Sequence, residues 1–331
     1  MEISIIDYIN QSLRCTFCSD SNISTEEVFC ENNVLMGRIM CKNCRNFVEI
    51  KNGILDYSNQ YNEDIDRIDY ANQAIFYNTW KLAPKNYNSV PYDTEYEVYK
   101  QNYKIFDRKI VLDAGCGSGR AFEFISQFDI KLGILIDIGQ SIELAQERFS
   151  NFYNFPILFI RANIRQMPLK NNSVDSIISN GVLHHVNDQG EVLEEFSKIS
   201  KNIILVGIVT SDKFLGRIWI RGNVIRKVLK KIKSTNTLIF LAYLSSKVVF
   251  FFISIIHVFI RNKSFSALFE IVISDKFKSQ KLHYLMLDYL TAPFYIKHKD
   301  SYYFEIMKRS GFKLKEKSYS SQEVFFIFNK E

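Results

Sequence analysis

Ile110-Val111-Leu112-Asp113-Ala114-Gly115-Cys116-Gly117-Ser118-Gly119-Arg120 is the stretch whose reading decides the fold. An apolar run ends in a carboxylate and three glycines spaced two apart, and a helical pattern follows from Ala121 to Phe128. Continuous apolar residues suit a strand buried on both faces of a parallel sheet. The glycines allow positive φ and let a ligand approach the backbone closely, so the turn is suited to holding one. A second apolar run, Leu132 to Ile136, ends at Asp137, where a carboxylate is placed to accept hydrogen bonds from a ribose diol.

Working outward, strand and helix patterns alternate. Strands are predicted at Lys109–Ala114, Leu132–Asp137, Ile157–Arg161, Ser173–Ser179 and Asn202–Val209, with helices at Gly119–Gln127, Ser141–Phe149 and Gly190–Ile199. This alternation predicts an α/β fold with helices on both faces of a mostly parallel sheet. The chain ends in a predicted helix Ser301–Ser310 and strands Phe312–Tyr319 and Glu323–Asn329.

D-A-G-C-G-S-G followed by a strand-terminal Asp resembles the class I S-adenosylmethionine-dependent methyltransferases. The G-x-G-x-x-G of dinucleotide dehydrogenases is not met. Pro168-Leu169 and Asn180-Gly181-Val182-Leu183-His184-His185 resemble the Met-Pro-Leu and Leu-His-His segments of the small-molecule subgroup. The resemblance implies a Rossmann-like sheet of seven strands, one of them antiparallel. It covers residues 105–210 well and 290–331 loosely, and implies S-adenosylmethionine as cofactor. It places the methionine end near Asp113, Gly115 and Gly117 and the ribose hydroxyls at Asp137, with Ala114, Gly119 and Ile138 also in the cofactor site. The adenine falls at Asn163 and Ile164, with Asn180 nearby. Asn163 stands where the family usually has Asp, and an amide oxygen can still accept from the adenine amino group. His184 and His185 are candidate bases, because they follow the fourth strand where substrate should meet the methyl group. Asp288, Tyr289 and His298 are weaker candidates. No N-P-P-Y-type motif follows that strand, which argues against methylation of DNA.

Cys15-Thr16-Phe17-Cys18 and Cys41-Lys42-Asn43-Cys44 predict a zinc ribbon. Two C-x-x-C turns can aim four thiolates at one structural metal, which leaves no open coordination position for catalysis. A metal would also substitute for the core that so short a unit lacks. The ribbon resembles the small one that precedes some bacterial methyltransferases. Cys30, with no cysteine partner nearby, reads as core. The domain reading is a zinc ribbon at 1–58, a helical cover at 59–105, the cofactor-binding core at 106–210, a helical insertion at 211–300, and the closing helix and hairpin at 301–331. Tyr77 and Trp80 are candidates for covering the cofactor or anchoring the segment on the core.

The chain has 331 residues, a net charge of +6, 28 Phe and 18 Tyr, enough for a large core and an apolar pocket. From Lys213 to Phe265 there are eleven basic residues and no acidic one, and the rest of the chain holds 31 basic residues against 36 acidic. The basic character is therefore local, which makes this stretch a candidate contact surface. Arg217–Lys233 places apolar residues on one helical face, and Leu238–Ile260 is almost wholly apolar. A single bilayer span would strand residues 301–329 on the far side, so the insertion is read either as a lid over the substrate or as an interfacial membrane contact through 213–263. Met1 to Leu13 does not read as a secretory leader, and paired C-x-x-C turns suit a reducing, cytoplasmic setting, with peripheral contact at the inner membrane face. The functional expectation is methyl transfer to an apolar or lipid-linked small molecule. Two alternatives stand beside it: an rRNA or tRNA methyltransferase gripping RNA with ribbon and insertion, and a cofactor-bound adaptor without turnover.

Overall fold

The computed structural model describes residues 4–31, 34–58, 93–149, 155–208, 296, 298–319 and 324–331, with isolated helical residues at 77, 81, 237, 240, 241, 244 and 245. The expectations for Trp80, for 59–92 and 211–295 apart from the isolated residues just named, including the lid or membrane contact, and for Asp288 and Tyr289 lie outside the described residues.

Among the described residues, eleven strands form one sheet in the order β1-β2-β3-β4-β7-β6-β5-β8-β9-β11-β10. The central parallel strands are β5 (Ile110–Ala114), β6 (Leu132–Asp137), β7 (Ile157–Arg161), β8 (Val174–Asn180) and β9 (Ser200–Ile208). β10 (Phe312–Tyr319) and β11 (Val324–Lys330) close one end, with β11 antiparallel to both β9 and β10. The seven-stranded arrangement with one antiparallel strand is thus present, but embedded in a larger sheet. The extra four strands are those of the cysteine unit: β1 (Ile23–Glu31), β2 (Val34–Cys41), β3 (Phe47–Lys51) and β4 (Ile54–Asp56).

The expectation of a seven-stranded sheet beside a separate small ribbon is therefore corrected. β4 pairs parallel to β7, with Ile54, Leu55 and Asp56 facing Phe159, Ile160 and Arg161. The outer edge of β7 offers unpaired backbone donors and acceptors, and an adjacent strand satisfies them. Asp56 ion-pairs with Arg161 at 2.9 Å, and Arg161 also reaches Glu143 at 2.6 Å. A further correction concerns Cys30, which is exposed rather than core. It lies near the end of β1, an edge strand among the described residues, where it pairs with Leu35 of β2.

Helices cover both faces, as the apolar runs predict. On one face α1 (Ile5–Ser12), α5 (Gln189–Ile199) and α6 (Asp300–Arg309) bury Tyr8, Ile9, Leu193, Phe196, Tyr303 and Met307 with Leu112, Ile134 and Phe326. On the other, α2 (Asp93–Gln101), α3 (Arg120–Ile125) and α4 (Ser141–Phe149) bury Tyr99, Phe122, Ile125 and Phe149 with Val111, Leu135 and Phe325. Neighbouring residues of β5 and β11 thus point to opposite cores, which is the period of two expected of a sheet sandwiched between helices. α1 had no counterpart among the predicted helices. Its eight residues are held by tertiary burial of Tyr8 and Ile9, not by length, since so short a helix is marginal alone. Among the described residues no helix is long and apolar enough to cross a membrane.

Candidate cofactor cleft and metal centre

The carboxyl ends of β5 and β6 open into a cleft of about 180 Å³. Open parallel sheets bind ligands at this end, where the strand order reverses. Gly115, Gly117 and Gly119 all sit at positive φ (80°, 55° and 78°), so the turn uses the freedom that only glycine has cheaply. Space is a second reason at Gly115, where a Cβ would lie 2.6 Å from the Val182 side chain. The turn is fastened to β6 by Gly115 and Cys116 N–H groups donating to the Ile136 carbonyl at 2.8 and 3.0 Å.

Asp137 accepts from the Gly117 N–H through Oδ2 and from the Gly139 N–H through Oδ1, each at 2.9 Å. Those donors hold the carboxylate in place, and each oxygen keeps a lone pair for a further donor. Desolvation raises its pKa and outweighs the lowering by the two N–H groups. Asp113 is more deeply buried. Burial first, and then the neighbouring Asp137 charge, push its carboxyl up to about 8. Its Oδ2 has no hydrogen-bond partner among the described residues. A buried carboxyl with an orphaned oxygen lacks a donor, preferably cationic.

Asp113, Gly115, Gly117, Asp137, Ile138, Asn163, Ile164 and Asn180 line this one cleft, together with His185. Ala114 and Gly119 do not: Ala114 is buried in β5, and Gly119 caps α3. The Asn163 Oδ1 accepts from the Arg165 N–H at 2.9 Å, so the side chain also closes the turn that follows β7. His184 and His185 are separated by the fold although their rings lie 4.2 Å apart. His185 faces the cleft, whereas His184 is buried behind it and its carbonyl accepts from the Ile296 N–H. His298 stacks on Tyr302 at 3.8 Å and is not in the lining.

Ser118, Arg120, Ser141 and Val182 also line the cleft and escaped the sequence reading. Ser118 and Arg120 sit within the glycine motif, so their proximity was available in principle. Ser141 and Val182 arrive through the folding of separate segments onto the turn, for which the sequence gives no local signal.

At the far end of the sheet, the ligand atoms of Cys15, Cys18, Cys41 and Cys44 all lie within 4.8 Å of one another. The Cys15–Cys44 and Cys18–Cys41 sulfur pairs are 3.6 Å apart. A tetrahedral zinc with Zn–S of about 2.3 Å needs sulfurs about 3.8 Å apart, so the set fits a structural zinc. Hydrogen bonding from the Asn46 backbone brings the Cys44 thiol down to about 6, while burial lifts Cys15 to about 12.

Residues 112–202 match the methyltransferase domain. The matched stretch runs from the middle of β5 into the start of β9 and includes every cleft residue named above. Protein arginine N-methyltransferase 1 of Dictyostelium discoideum is 28% identical over 113 residues, 34% of this chain and 33% of that protein. An uncharacterized methyltransferase of Mycobacterium tuberculosis is 34% identical over 85 residues, 24% of this chain and 38% of that one. The chain thus spans only about a third of the length of these relatives. Among solved structures, magnesium protoporphyrin IX methyltransferase from Synechocystis with bound SAH aligns at 14% identity and a TM-score of 0.47, over 82% of this chain and 100% of that chain.

Proposed function

We propose that this chain is an S-adenosylmethionine-dependent methyltransferase acting on an apolar or lipid-linked small molecule. The observation that carries the cofactor half of this reading is the pair of carboxylates, Asp113 and Asp137, at the ends of adjacent strands in one glycine-walled cleft. When bound, S-adenosylmethionine supplies a methyl group on a sulfonium leaving group. The residues of the cleft fit such a ligand. Asp113, lacking a donor at Oδ2, suits its ammonium. Asp137, fixed by two N–H groups, suits the ribose diol. Asn163 and Ile164 suit the adenine edge.

The chain's remaining task is to position an acceptor and keep water out. His185 lines the cleft and is the better of the two histidines for taking a proton from a hydroxyl acceptor. The acceptor class rests on the sequence of 213–263, basic and apolar without a carboxylate. Such a stretch suits an apolar lid or an anionic membrane surface. The same basic stretch favours RNA as a second reading.

Calorimetric titration of the purified protein with S-adenosylmethionine tests the first half. Binding by the wild type and its loss in Asp137→Ala are expected; no binding, or an unaffected variant, refutes it. Liposome flotation across a salt series, with structured RNA as competitor, tests the second. Retention on anionic vesicles at high salt is expected, followed by methylated product from a panel of quinones and lipid-linked sugars. Salt-sensitive RNA binding without vesicle binding transfers the function to RNA.

A further inference from the structure

The metal centre and the cofactor cleft are connected by a short path of hydrogen bonds. The chain entering the first cysteine turn runs antiparallel beside the loop that follows β7. Lys170 N–H donates to the Ser12 carbonyl at 2.8 Å, Arg14 N–H donates to the Pro168 carbonyl at 3.1 Å, and Leu13 bridges Leu169. The contact then reaches the cysteine turn itself. The Gln166 side-chain Nε2 donates at 3.1 Å to the carbonyl of Thr16, which lies between the ligands Cys15 and Cys18. From Gln166 the path continues inward. Its own N–H donates to the Asn163 carbonyl at 3.1 Å, and Asn163 and Ile164 line the cleft.

We propose that Gln166 is a positioning residue that ties the cysteine turn to the cofactor loop, so that metal occupancy and cofactor affinity are coupled through the Gln166–Thr16 hydrogen bond. The coupling rests on the S-adenosylmethionine reading above. Cys15 and Cys18 set the direction of the Thr16 carbonyl when they close on one metal. Release of the metal frees the turn, and Gln166 loses its fixed acceptor. The Asn163 turn is then held less well in the conformation that lines the cleft. The coupling is limited to about tenfold, equivalent to about 1.4 kcal/mol, which is within the reach of one neutral hydrogen bond. Linkage makes it reciprocal: the ligand must tighten metal binding by the same factor.

The experiment uses the zinc-loaded full chain and S-adenosylhomocysteine, titrated by calorimetry, with zinc affinity measured by competition against a chromogenic chelator. Removing the zinc is expected to weaken S-adenosylhomocysteine three- to tenfold, and saturating S-adenosylhomocysteine is expected to tighten zinc by the same factor. Gln166→Leu removes the donor on an exposed side chain. It should keep one zinc per chain, bind the ligand three- to tenfold more weakly, and abolish the effect of ligand on zinc. Gln166→Glu, which turns an acceptor toward the Thr16 carbonyl, should do the same. Wild-type ligand affinity in both variants, or wild-type zinc affinity that ignores the ligand, overturns the coupling alone. No ligand binding by the zinc-loaded wild type overturns the cofactor reading, and the coupling with it.

Discussion

Asp113→Asn should make the ligand-free protein more stable at neutral pH while weakening cofactor binding. The substitution keeps the shape of the side chain and removes its proton. In the folded chain burial and the Asp137 charge raise the Asp113 carboxyl to about 8, against an ordinary value of 3.8. The native state therefore holds this proton over a range in which the unfolded chain has already lost it. The stabilising contribution is full below about 3.8 and disappears as pH rises through about 8. Between those values wild-type stability falls as pH rises, by about 2–3 kcal/mol from pH 5 to pH 7 from this one group. Asparagine has no such slope. Urea unfolding at 25 °C, followed by circular dichroism at half-unit pH steps without ligand, gives both curves. Other titrating groups are common to the two proteins, so the difference between the curves isolates position 113. The variant should gain on the wild type by about 2–3 kcal/mol across that interval. Two curves that stay parallel would refute the argument that Asp113 is a buried, protonated carboxyl waiting for a cationic partner.

Three further outcomes follow from the same geometry. In Gly207→Ala the new Cβ would lie 2.1 Å from the Asn180 Oδ1 and 2.8 Å from the Phe325 ring, so thermal unfolding should show a loss of about 1–3 kcal/mol and calorimetry a weaker ligand, with zinc content unchanged. Gly119→Ala meets the Phe149 ring at 2.4 Å while forcing φ +78° on alanine, and the two costs together should lower stability by about 2–4 kcal/mol in urea unfolding. Cys41→Ser should reduce bound zinc from one ion per chain to none by elemental analysis, with loss of hydrogen-exchange protection in β1–β3 greater than in β5, β6 and β8.

Much of the fold was legible because it depends on local pattern. Mainly apolar runs of five to nine residues gave β5 to β9 to within two residues, since burial on both faces favours apolar side chains and admits polar ones such as Ser176 and Ser179 where they are hydrogen-bonded. The three glycines were legible because three such backbone angles in one short turn are cheap only for glycine, and the four cysteines because their spacing already restricts which atoms can meet. The two histidines were not distinguishable. They are adjacent in sequence, and only the 3₁₀ turn at Leu183–His185 turns one toward the cleft and buries the other. Cys30 misled for a related reason: an apolar residue in a strand reads as core, and its exposure depends on how far the covering elements extend.

By itself the sequence determined the strand-and-turn unit at 110–120, the carboxylate at Asp137 and the metal-binding character of the four cysteines. Each is a property of neighbouring residues and backbone angles. Tertiary structure alone decided that the cysteine unit is the flank of one eleven-stranded sheet rather than a separate bead, and that Thr16 meets Gln166 across a sequence separation of 150 residues. Those outcomes depend on which strand edge is left open and which loop lies beside it. A hydrogen-bonding edge is made by backbone groups that every residue carries, so no side-chain pattern announces its partner.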